Sequence, residues 1–267
     1  MPRRHRALAG ELDSRAYRPS RPKREERAGA RNSAGARADP RAMRLKAFGR
    51  ALTVALLDVL APPRCAACEA CEPEGSGYCA ACGAPEPLLD VSCHIQGVPV
   101  FAGARYAEPL ASAIQRFKYR AAPELCGALA TLSVRGIDLL GIEAGDVWVP
   151  VPLHPLRLAE RGYNQAALLA RELSRSAHGR VDARRLRRLR HTEQQAKRNR
   201  QGRTDNVVAA FAAREPRGIA RPSERVVLVD DVVTTGATLG ACISALRAAG
   251  DVVVGCMAVA YADGPCQ

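Results

Sequence analysis

The sequence predicts an α/β fold in which a mainly parallel sheet is flanked by helices. Three short apolar runs, at 146–151, 226–229 and 251–260, have the length of buried strands. Segments with helical character follow the first two runs, at 165–174 and 240–249. Strands that alternate with helices are typical of a parallel sheet covered on both faces. The chain has 267 residues, 47% of them hydrophobic and 25% charged, so it can bury a core of ordinary size.

The first 42 residues are predicted to form a disordered basic extension. They hold 12 Arg and Lys against 5 Asp and Glu, so they carry +7 of the net charge of +13. Their large aliphatic residues are Met1, Leu8 and Leu12 only, too few to offset the entropy lost on ordering. Met43 precedes an amphipathic helical pattern, and we expect Met43 to be the natural start. The alternatives are a start at Met1 and a genuine basic arm that contacts nucleic acid.

The arginine-rich start could mimic a secretory or twin-arginine signal. No apolar segment follows Arg3 and Arg4 within the first forty residues, however, and no run of 18 apolar residues occurs in the sequence. We therefore expect a cytoplasmic protein that does not insert into a membrane.

Two CxxC pairs separated by ten residues dominate the segment 43–95. We predict that this segment combines an amphipathic helix with a zinc knuckle similar to a double zinc ribbon, because two such pairs can place four thiolates around one structural Zn²⁺. The four cysteines are Cys65, Cys68, Cys79 and Cys82. Cys71 and the pair Cys93–His94 are alternative ligands, and reduced thiols or a redox pair are the alternative to a metal site. Because the cytosol keeps thiols reduced, we expect no structural disulfides among the ten cysteines.

One strand or hairpin and two helices are predicted after the knuckle, at 98–106, 109–117 and 124–133. The link at 117–120 holds Lys118 and Arg120 next to aromatic residues. These cations could contact a phosphate or a base, or could form a solvated helix end.

Two adjacent carboxylates follow the apolar run at 226–229, and a turn rich in threonine and glycine comes next. Ligands of open α/β sheets bind at the carboxyl ends of the strands. Residues 234–238 would offer N–H groups and hydroxyls to an anion at the start of a helix, where Gly236 permits a close approach. Asp230 and Asp231 cannot bind a phosphate, but they can accept hydrogen bonds from vicinal hydroxyls. A ribose 5-phosphate has both features, and a solvated Asp-Asp turn is the alternative.

This stretch resembles the motif of type I phosphoribosyltransferases that binds 5-phosphoribosyl-1-pyrophosphate (PRPP). No Gly-Lys-Ser/Thr follows the glycine, which excludes a Walker A loop. The resemblance implies a type I phosphoribosyltransferase-like domain over 96–267, PRPP bound together with Mg²⁺, and catalytic roles for Asp230 and Asp231. The residues implied to contact PRPP are Asp230, Asp231, Val232, Val233, Thr234, Thr235, Gly236, Ala237 and Thr238. We expect the two carboxylates, at a strand end, to face solvent.

A second resemblance lies in the sequence VPVPLHPLRLAERGYNQA at 149–166. It is similar to the signature of the ComF (ComF/GntX) family of competence proteins, in which a four-cysteine zinc motif precedes a phosphoribosyltransferase domain. The similarity implies a pyrophosphate loop at 153–157, in which Leu153 and His154 contact PRPP, and a phosphate contact by Arg161. A surface ion pair of Arg161 with Glu160 or a neighbour is the alternative. We interpret His154, which lies between prolines, as a loop residue rather than a general base.

The segment 184–203 holds nine Arg and Lys against one Glu and is predicted to be a short strand that leads into a mobile loop. In type I phosphoribosyltransferases the corresponding loop closes over PRPP, which implies catalytic roles for Arg198 and Arg203. The other residues that approximate the loop pattern are Arg190, Gln194, Gln195 and Asn206. A DNA backbone is the alternative partner, because DNA is also bound through neutralised phosphates. We expect 207–211 to return the chain to the sheet.

The family resemblance implies a PRPP-binding protein linked to DNA uptake or to the use of imported DNA. As an enzyme, it would transfer the phosphoribosyl group to an acceptor that no motif identifies. The alternative is a non-catalytic protein that senses PRPP or a nucleotide and binds single-stranded DNA or a protein of the DNA-uptake machinery.

Overall fold

A mainly parallel sheet lies at the centre of the part of the chain that the computed structural model describes. The described residues are 64–70, 72–73, 75, 77–189, 210–214 and 222–262, and all of them fall within one unit that spans 55–267. The predicted basic extension, the amphipathic pattern after Met43 and the basic loop from Arg190 onward, with Arg198 and Arg203, lie outside the described residues.

The strands and helices alternate along most of the chain. The strands are β1 (Cys93–Ile95), β2 (Val98–Arg105), β3 (Val147–Pro150), β4 (Arg180–Val181), β5 (Leu186–Arg188), β6 (Phe211–Ala213), β7 (Arg225–Val229), β8 (Val232–Val233) and β9 (Val252–Tyr261). The helices are α1 (Leu110–Tyr119), α2 (Cys126–Thr131), α3 (Gly136–Leu139), α4 (Pro155–Arg161), α5 (Gln165–Ser176) and α6 (Ala237–Ala248), with a 3-10 turn at Pro123–Leu125.

Seven strands form the main sheet in the described ranges, in the order β1-β2-β9-β7-β3-β4, with β8 paired to β9. Only β1 and β2 pair antiparallel, and the other pairs in this sheet are parallel. The predicted mainly parallel α/β sheet is therefore confirmed. One expectation is wrong: the chain does not rejoin this sheet at Phe211, because β6 pairs with β5 in a separate antiparallel two-stranded sheet.

Both faces of the sheet are buried, which explains why the strand sequences are continuously apolar. In β7, Val227 and Val229 belong to a core that includes residues of α1, α2 and α5. Val226 and Leu228 belong to a second core with residues of α6, β5 and β6. Successive side chains of a strand point to opposite faces, so a strand covered on both sides needs apolar residues throughout.

A charged network occupies the amino ends of three neighbouring parallel strands. Asp146, Glu224 and Asp251 each stand directly before the first residue of β3, β7 and β9, respectively. Arg185 is buried and pairs with both Glu224 and Asp251, with its Nε 3.0 Å from Asp251 Oδ2. Arg225 Nε donates to Asp146 Oδ1 at 2.8 Å. Each buried carboxylate of the network thus has a cationic partner, as a charge inside a protein requires.

Helices α1, α2, α5 and α6 agree with the predicted positions within a few residues, whereas α3 and α4 were not predicted. Residues 155–157 were predicted to be loop, but helix α4 begins at Pro155 and ends before Gly162, whose φ of 76° is left-handed. Proline is favoured in the first turn of a helix, and His154 caps the helix by accepting a hydrogen bond from the Leu156 N–H.

Candidate functional site

The two adjacent carboxylates lie at the carboxyl end of β7, which pairs with β9 on one side and β3 on the other. The Asp230 N–H donates to the Met257 carbonyl at 2.9 Å, which continues the pairing with β9 beyond Val229. The Asp231 N–H turns back and donates to Asp230 Oδ1 at 2.9 Å. The backbone is therefore fixed on both sides of the pair, and both carboxylates stand at the edge of the sheet where ligands bind in such folds.

Asp231 does not face solvent as expected. It is buried, and Lys118 Nζ from α1 lies 2.9 Å from its Oδ1. Only 20% of the Lys118 side chain and 12% of the Asp231 side chain are exposed. The expectation failed because a residue at a strand end can be covered by a helix that is distant in sequence.

Asp230 is partly buried, and its ionisation is opposed by two effects. Burial, together with the negative charge of Asp231, raises the pKa of Asp230 to about 7. The hydrogen bond from the Asp231 N–H and the positive charges of Lys118 and Arg188 act in the opposite direction and lower the pKa of Asp230. The pair is therefore set between a cation from α1 and a cation from β5, and the charge of Asp230 changes near neutral pH.

The turn after the carboxylates exposes Thr234 and Thr235 and then begins helix α6. Gly236 precedes the helix with a φ of 75°, a left-handed conformation that favours glycine. Gly236 has no side chain to cap this helix start, and the Ala237 N–H donates only a long hydrogen bond of 3.5 Å to Thr235 Oγ1. The first N–H groups of α6 can therefore reach an anion, as at other helix N-termini.

The loop after β3 reaches the same edge of the sheet. The Val151 N–H donates to the Val229 carbonyl at 2.9 Å, so this loop starts beside the residue that precedes Asp230. Leu153 and His154 follow, and both are partly buried. The Asn164 side chain donates to the Val151 carbonyl, which holds the loop in place. The same side chain accepts from the Ala166 N–H, which caps α5. The structure therefore brings Leu153 and His154 to the edge that holds the acidic pair.

Arg161 contacts Tyr119 and Gln165 rather than Glu160, the alternative partner named in the sequence analysis. Its guanidinium lies 4.7 Å from the centre of the Tyr119 ring and donates to the Tyr119 hydroxyl and to Gln165 Oε1, each at 3.1 Å. The ion pair with Glu160 is wrong, because Glu160 pairs with Arg157 at 3.3 Å. A phosphate contact by Arg161 stays a prediction.

The four predicted knuckle cysteines come together. The Sγ atoms of Cys65, Cys68, Cys79 and Cys82 all lie within 4.8 Å of one another, and those of Cys68 and Cys79 are 3.8 Å apart. Zn–S bonds of about 2.3 Å in a tetrahedron require sulfur separations of about 3.8 Å. The Cys79 N–H also lies 3.4 Å from Cys65 Sγ. The cluster therefore fits a metal ion such as zinc.

The knuckle packs against α1 rather than standing alone. Cys65, Ala66 and Tyr78 belong to the same core as the apolar face of α1. Arg116 of α1 donates to the carbonyl oxygens of Cys65 and Ala66. It also forms an ion pair with the Glu69 side chain. A single helix thus carries one cation that holds the knuckle and another that holds Asp231.

The cysteines outside the four-sulfur cluster differ in part from the sequence prediction. Cys93 is disulfide-bonded, so the expectation of no structural disulfide is wrong at this residue. Cys93 lies in β1 and is not part of the four-cysteine cluster. The other alternative ligand, Cys71, lies outside the described residues.

Comparison with known proteins identifies the family. The chain is 33% identical over 192 residues to "Competence protein F" of Haemophilus influenzae, and the match covers 70% of this chain and 80% of that protein. The chain belongs to the ComF family. Residues 158–266 match the family model "Phosphoribosyl transferase domain", which includes the acidic pair and the start of α6.

Two other relatives match a shorter part of the chain. "DNA utilization protein YhgH" of Escherichia coli is 34% identical over 140 residues, which are 51% of this chain and 60% of that protein. "Competence protein ComFC" of Bacillus subtilis is 30% identical over 134 residues, which are 50% of this chain and 52% of that protein. The predicted family and the phosphoribosyltransferase-like fold are both confirmed.

Two cations of the site were missed or left undecided by the sequence analysis. Lys118 was considered only as one of two basic residues near a helix end, and Arg188 only as part of a basic segment. The signal in Lys118 was its position between Phe117, which is fully buried, and Tyr119, which is exposed. A lysine between a buried and an exposed residue can reach an acidic side chain at the edge of the core, although the sequence does not identify that side chain.

Within the described ranges, no helix has the length and apolar character needed to cross a bilayer.

Proposed function

We propose that this chain binds PRPP with Mg²⁺ at the carboxyl ends of β3 and β7 and transfers the phosphoribosyl group to an acceptor. The observation that carries the proposal is the acidic pair at the end of a strand inside a parallel sheet, followed after a short turn by a helix whose N-cap residue, Gly236, offers no side-chain cap. PRPP joins vicinal hydroxyls to a 5-phosphate, and this arrangement offers acceptors to the first and N–H donors to the second. The match to the phosphoribosyl transferase family model supports the same ligand.

Each part of the site has a role in this proposal. Asp230 and Asp231 accept hydrogen bonds from the ribose hydroxyls, and residues 234–238 bind the 5-phosphate. Leu153 and His154 line the place of the pyrophosphate. Arg161 and the arginines of the basic loop, Arg198 and Arg203, stabilise the charge of the departing group. Mg²⁺ bound with PRPP would neutralise part of that charge.

The proposed reaction is a displacement at C1 of the ribose. The bond between C1 and the pyrophosphate oxygen breaks, and the pyrophosphate leaves with the electron pair. The lone pair of the acceptor forms the new bond to C1, and the acceptor proton is lost. The transition state carries positive charge on the ribose ring, so nearby carboxylates stabilise it more strongly than they stabilise the bound substrate.

The four-cysteine knuckle has a structural role in this proposal. We propose that it binds one Zn²⁺ through Cys65, Cys68, Cys79 and Cys82, which leaves no open ligand position for catalysis. The packing of the knuckle against α1 supports a structural role for this metal rather than a catalytic one.

Isothermal titration calorimetry with Mg²⁺ and PRPP tests the binding step, with ribose 5-phosphate and pyrophosphate as partial ligands. We expect PRPP to bind more tightly than either part, because it fills both halves of the site. Release of pyrophosphate in the presence of a panel of nucleobases and amines tests transfer. Equal affinity for PRPP and inorganic pyrophosphate would contradict the assignment of the acidic pair.

The names of the relatives favour a second candidate function. They are called competence and DNA utilization proteins, so a link to the uptake or use of imported DNA is proposed for this chain as well. In this candidate function, the site senses PRPP or a nucleotide without turnover, and the protein binds single-stranded DNA or a partner of the uptake machinery. PRPP binding without pyrophosphate release, together with retention on single-stranded DNA that weakens steeply with salt, would favour it.

A further inference from the structure

We propose that Lys118 is a positioning residue of the site, which holds Asp231 in place and favours the charged state of the acidic pair. The effect on ligand binding rests on the proposed function, whereas the contact itself does not. Lys118 Nζ lies 2.9 Å from Asp231 Oδ1, and both side chains are largely buried. At this distance and degree of burial, an ion pair is held more firmly than a pair on an open surface.

The backbone on both sides of this contact is fixed. Lys118 is the penultimate residue of α1, and Leu110, Ile114 and Phe117 of the same helix are fully buried. The Asp231 carbonyl accepts hydrogen bonds from the N–H groups of Val259 and Ala260 in β9. Neither partner can move away from the other without disturbing the core or the sheet.

Helix α1 also links this contact to the knuckle. Arg116 and Lys118 are two residues apart, so their side chains leave the helix about 200° from each other. Arg116 binds the carbonyl oxygens of Cys65 and Ala66 on one side, and Lys118 binds Asp231 on the other. The knuckle therefore fixes the helix that presents Lys118.

The ionisable groups that face the acidic pair come from four elements. Lys118 of α1 and Arg188 of β5 lower the pKa of Asp230, while burial and the Asp231 charge raise it. Burial raises the pKa of two thiols, Cys242 of α6 and Cys256 of β9, and the nearby Asp230 charge raises the pKa of each further. Both thiols are neutral at physiological pH, so Lys118 and Arg188 are the cations that offset two adjacent negative charges in this described part of the site.

The test is a ¹³C-carboxyl NMR titration of the ligand-free protein, compared between wild type and Lys118→Met, Lys118→Arg and Arg171→Met. The Asp230 resonance is assigned by its loss in Asp230→Asn. Methionine keeps most of the aliphatic length of lysine without its charge. Arg171→Met is the control, because it removes one positive charge from the exposed surface of α5.

We expect the upper titration midpoint of the acidic pair to rise by about one pH unit in Lys118→Met. It should stay near the wild-type value in Lys118→Arg and Arg171→Met. An unchanged midpoint in Lys118→Met, or an equal rise in Arg171→Met, would overturn the proposal. Lys118→Gln repeats the measurement if the methionine variant does not fold, and loss of folding in both would show that Lys118 is structural instead.

Binding of PRPP with Mg²⁺ is then measured for the same variants at pH 7 and pH 9. Lys118→Met should bind about fivefold more weakly at pH 7, where a rise of about one unit lowers the charged fraction of Asp230 from about one half to about one tenth, and the deficit should narrow at pH 9, where Asp230 is mostly charged in both proteins. A deficit of the same size at both pH values would contradict the role of Lys118 in holding the charged state. Absence of PRPP binding in the wild type would refute the proposed function, while the NMR midpoints would still test the Lys118 contact.

Discussion

Replacement of Asp230 by asparagine should make the free protein more stable and its complex with PRPP weaker. Burial and the Asp231 charge raise the pKa of Asp230 from 3.8 to about 7 in the folded chain. Because the folded protein holds this proton more tightly than the unfolded chain, the stability of the wild type falls as the pH rises from about 4 to about 7. Asp230→Asn removes this loss, and its amide oxygen can still accept from the Asp231 N–H.

The size of the effect follows from the pKa. A rise from 3.8 to about 7 corresponds to about 4 kcal/mol, and the partial exposure of Asp230 reduces the expected value to about 2 kcal/mol. Urea unfolding should therefore show Asp230→Asn to be about 2 kcal/mol more stable than the wild type at pH 8. At pH 3 the two proteins should be nearly equal, since Asp230 is then mostly neutral in both the folded and the unfolded wild type.

The same substitution should weaken PRPP binding at pH 8. Loss of one charged hydrogen bond to a ribose hydroxyl costs about 1.5 to 3 kcal/mol, or about 10- to 150-fold in affinity. Inorganic phosphate should bind the variant at least as well as the wild type, because a nearby negative charge has been removed. Calorimetry with both ligands measures the difference. Equal weakening for PRPP and phosphate, or no gain in stability at pH 8, would refute the reasoning.

Three further predictions concern other parts of the chain. Elemental analysis of the purified protein should find about one zinc per chain. Cys65→Ser should lose this zinc, because Cys65 belongs to the four-sulfur cluster, whereas the control Cys126→Ser should keep it, because Cys126 lies outside the cluster. Segment 190–203 should resist trypsin when PRPP and Mg²⁺ are added if it closes over the ligand, and protection by DNA alone would favour the second candidate function. Asp251→Asn should lower the free energy of unfolding by about 3 to 5 kcal/mol in urea, because it leaves the buried Arg185 without one of its charged partners, yet PRPP affinity should not change.

Features encoded by local pattern could be predicted from the sequence. The strand, the acidic pair, the turn and the helix of the candidate site form one continuous stretch, and the four knuckle cysteines lie within another. Their geometry follows from spacing and from the preferences of individual residues, such as Gly236 at a left-handed position. A resemblance to known motifs then supplied the ligand, which spacing alone could not name.

Features that depend on tertiary contacts could not be predicted. Asp231 pairs with Lys118, which lies far earlier in the sequence, so no local pattern encodes their contact. The helix α4 (Pro155–Arg161) has no buried residue, so it lacks the apolar stripe by which a helix is recognised in a sequence. Phe211 lies in an apolar stretch that suits a strand, but only the fold decides that this strand pairs with β5.

In the described part of the chain, two groups of carboxylates lie at opposite edges of the parallel sheet and have different roles. Carboxylates that stand before β3, β7 and β9 are neutralised by Arg185 and Arg225 at one edge, where they serve folding. Carboxylates that follow β7 stand at the opposite edge, where one of them, Asp230, changes its charge near neutral pH. Substitutions at the second edge can therefore accumulate while the first edge maintains the fold.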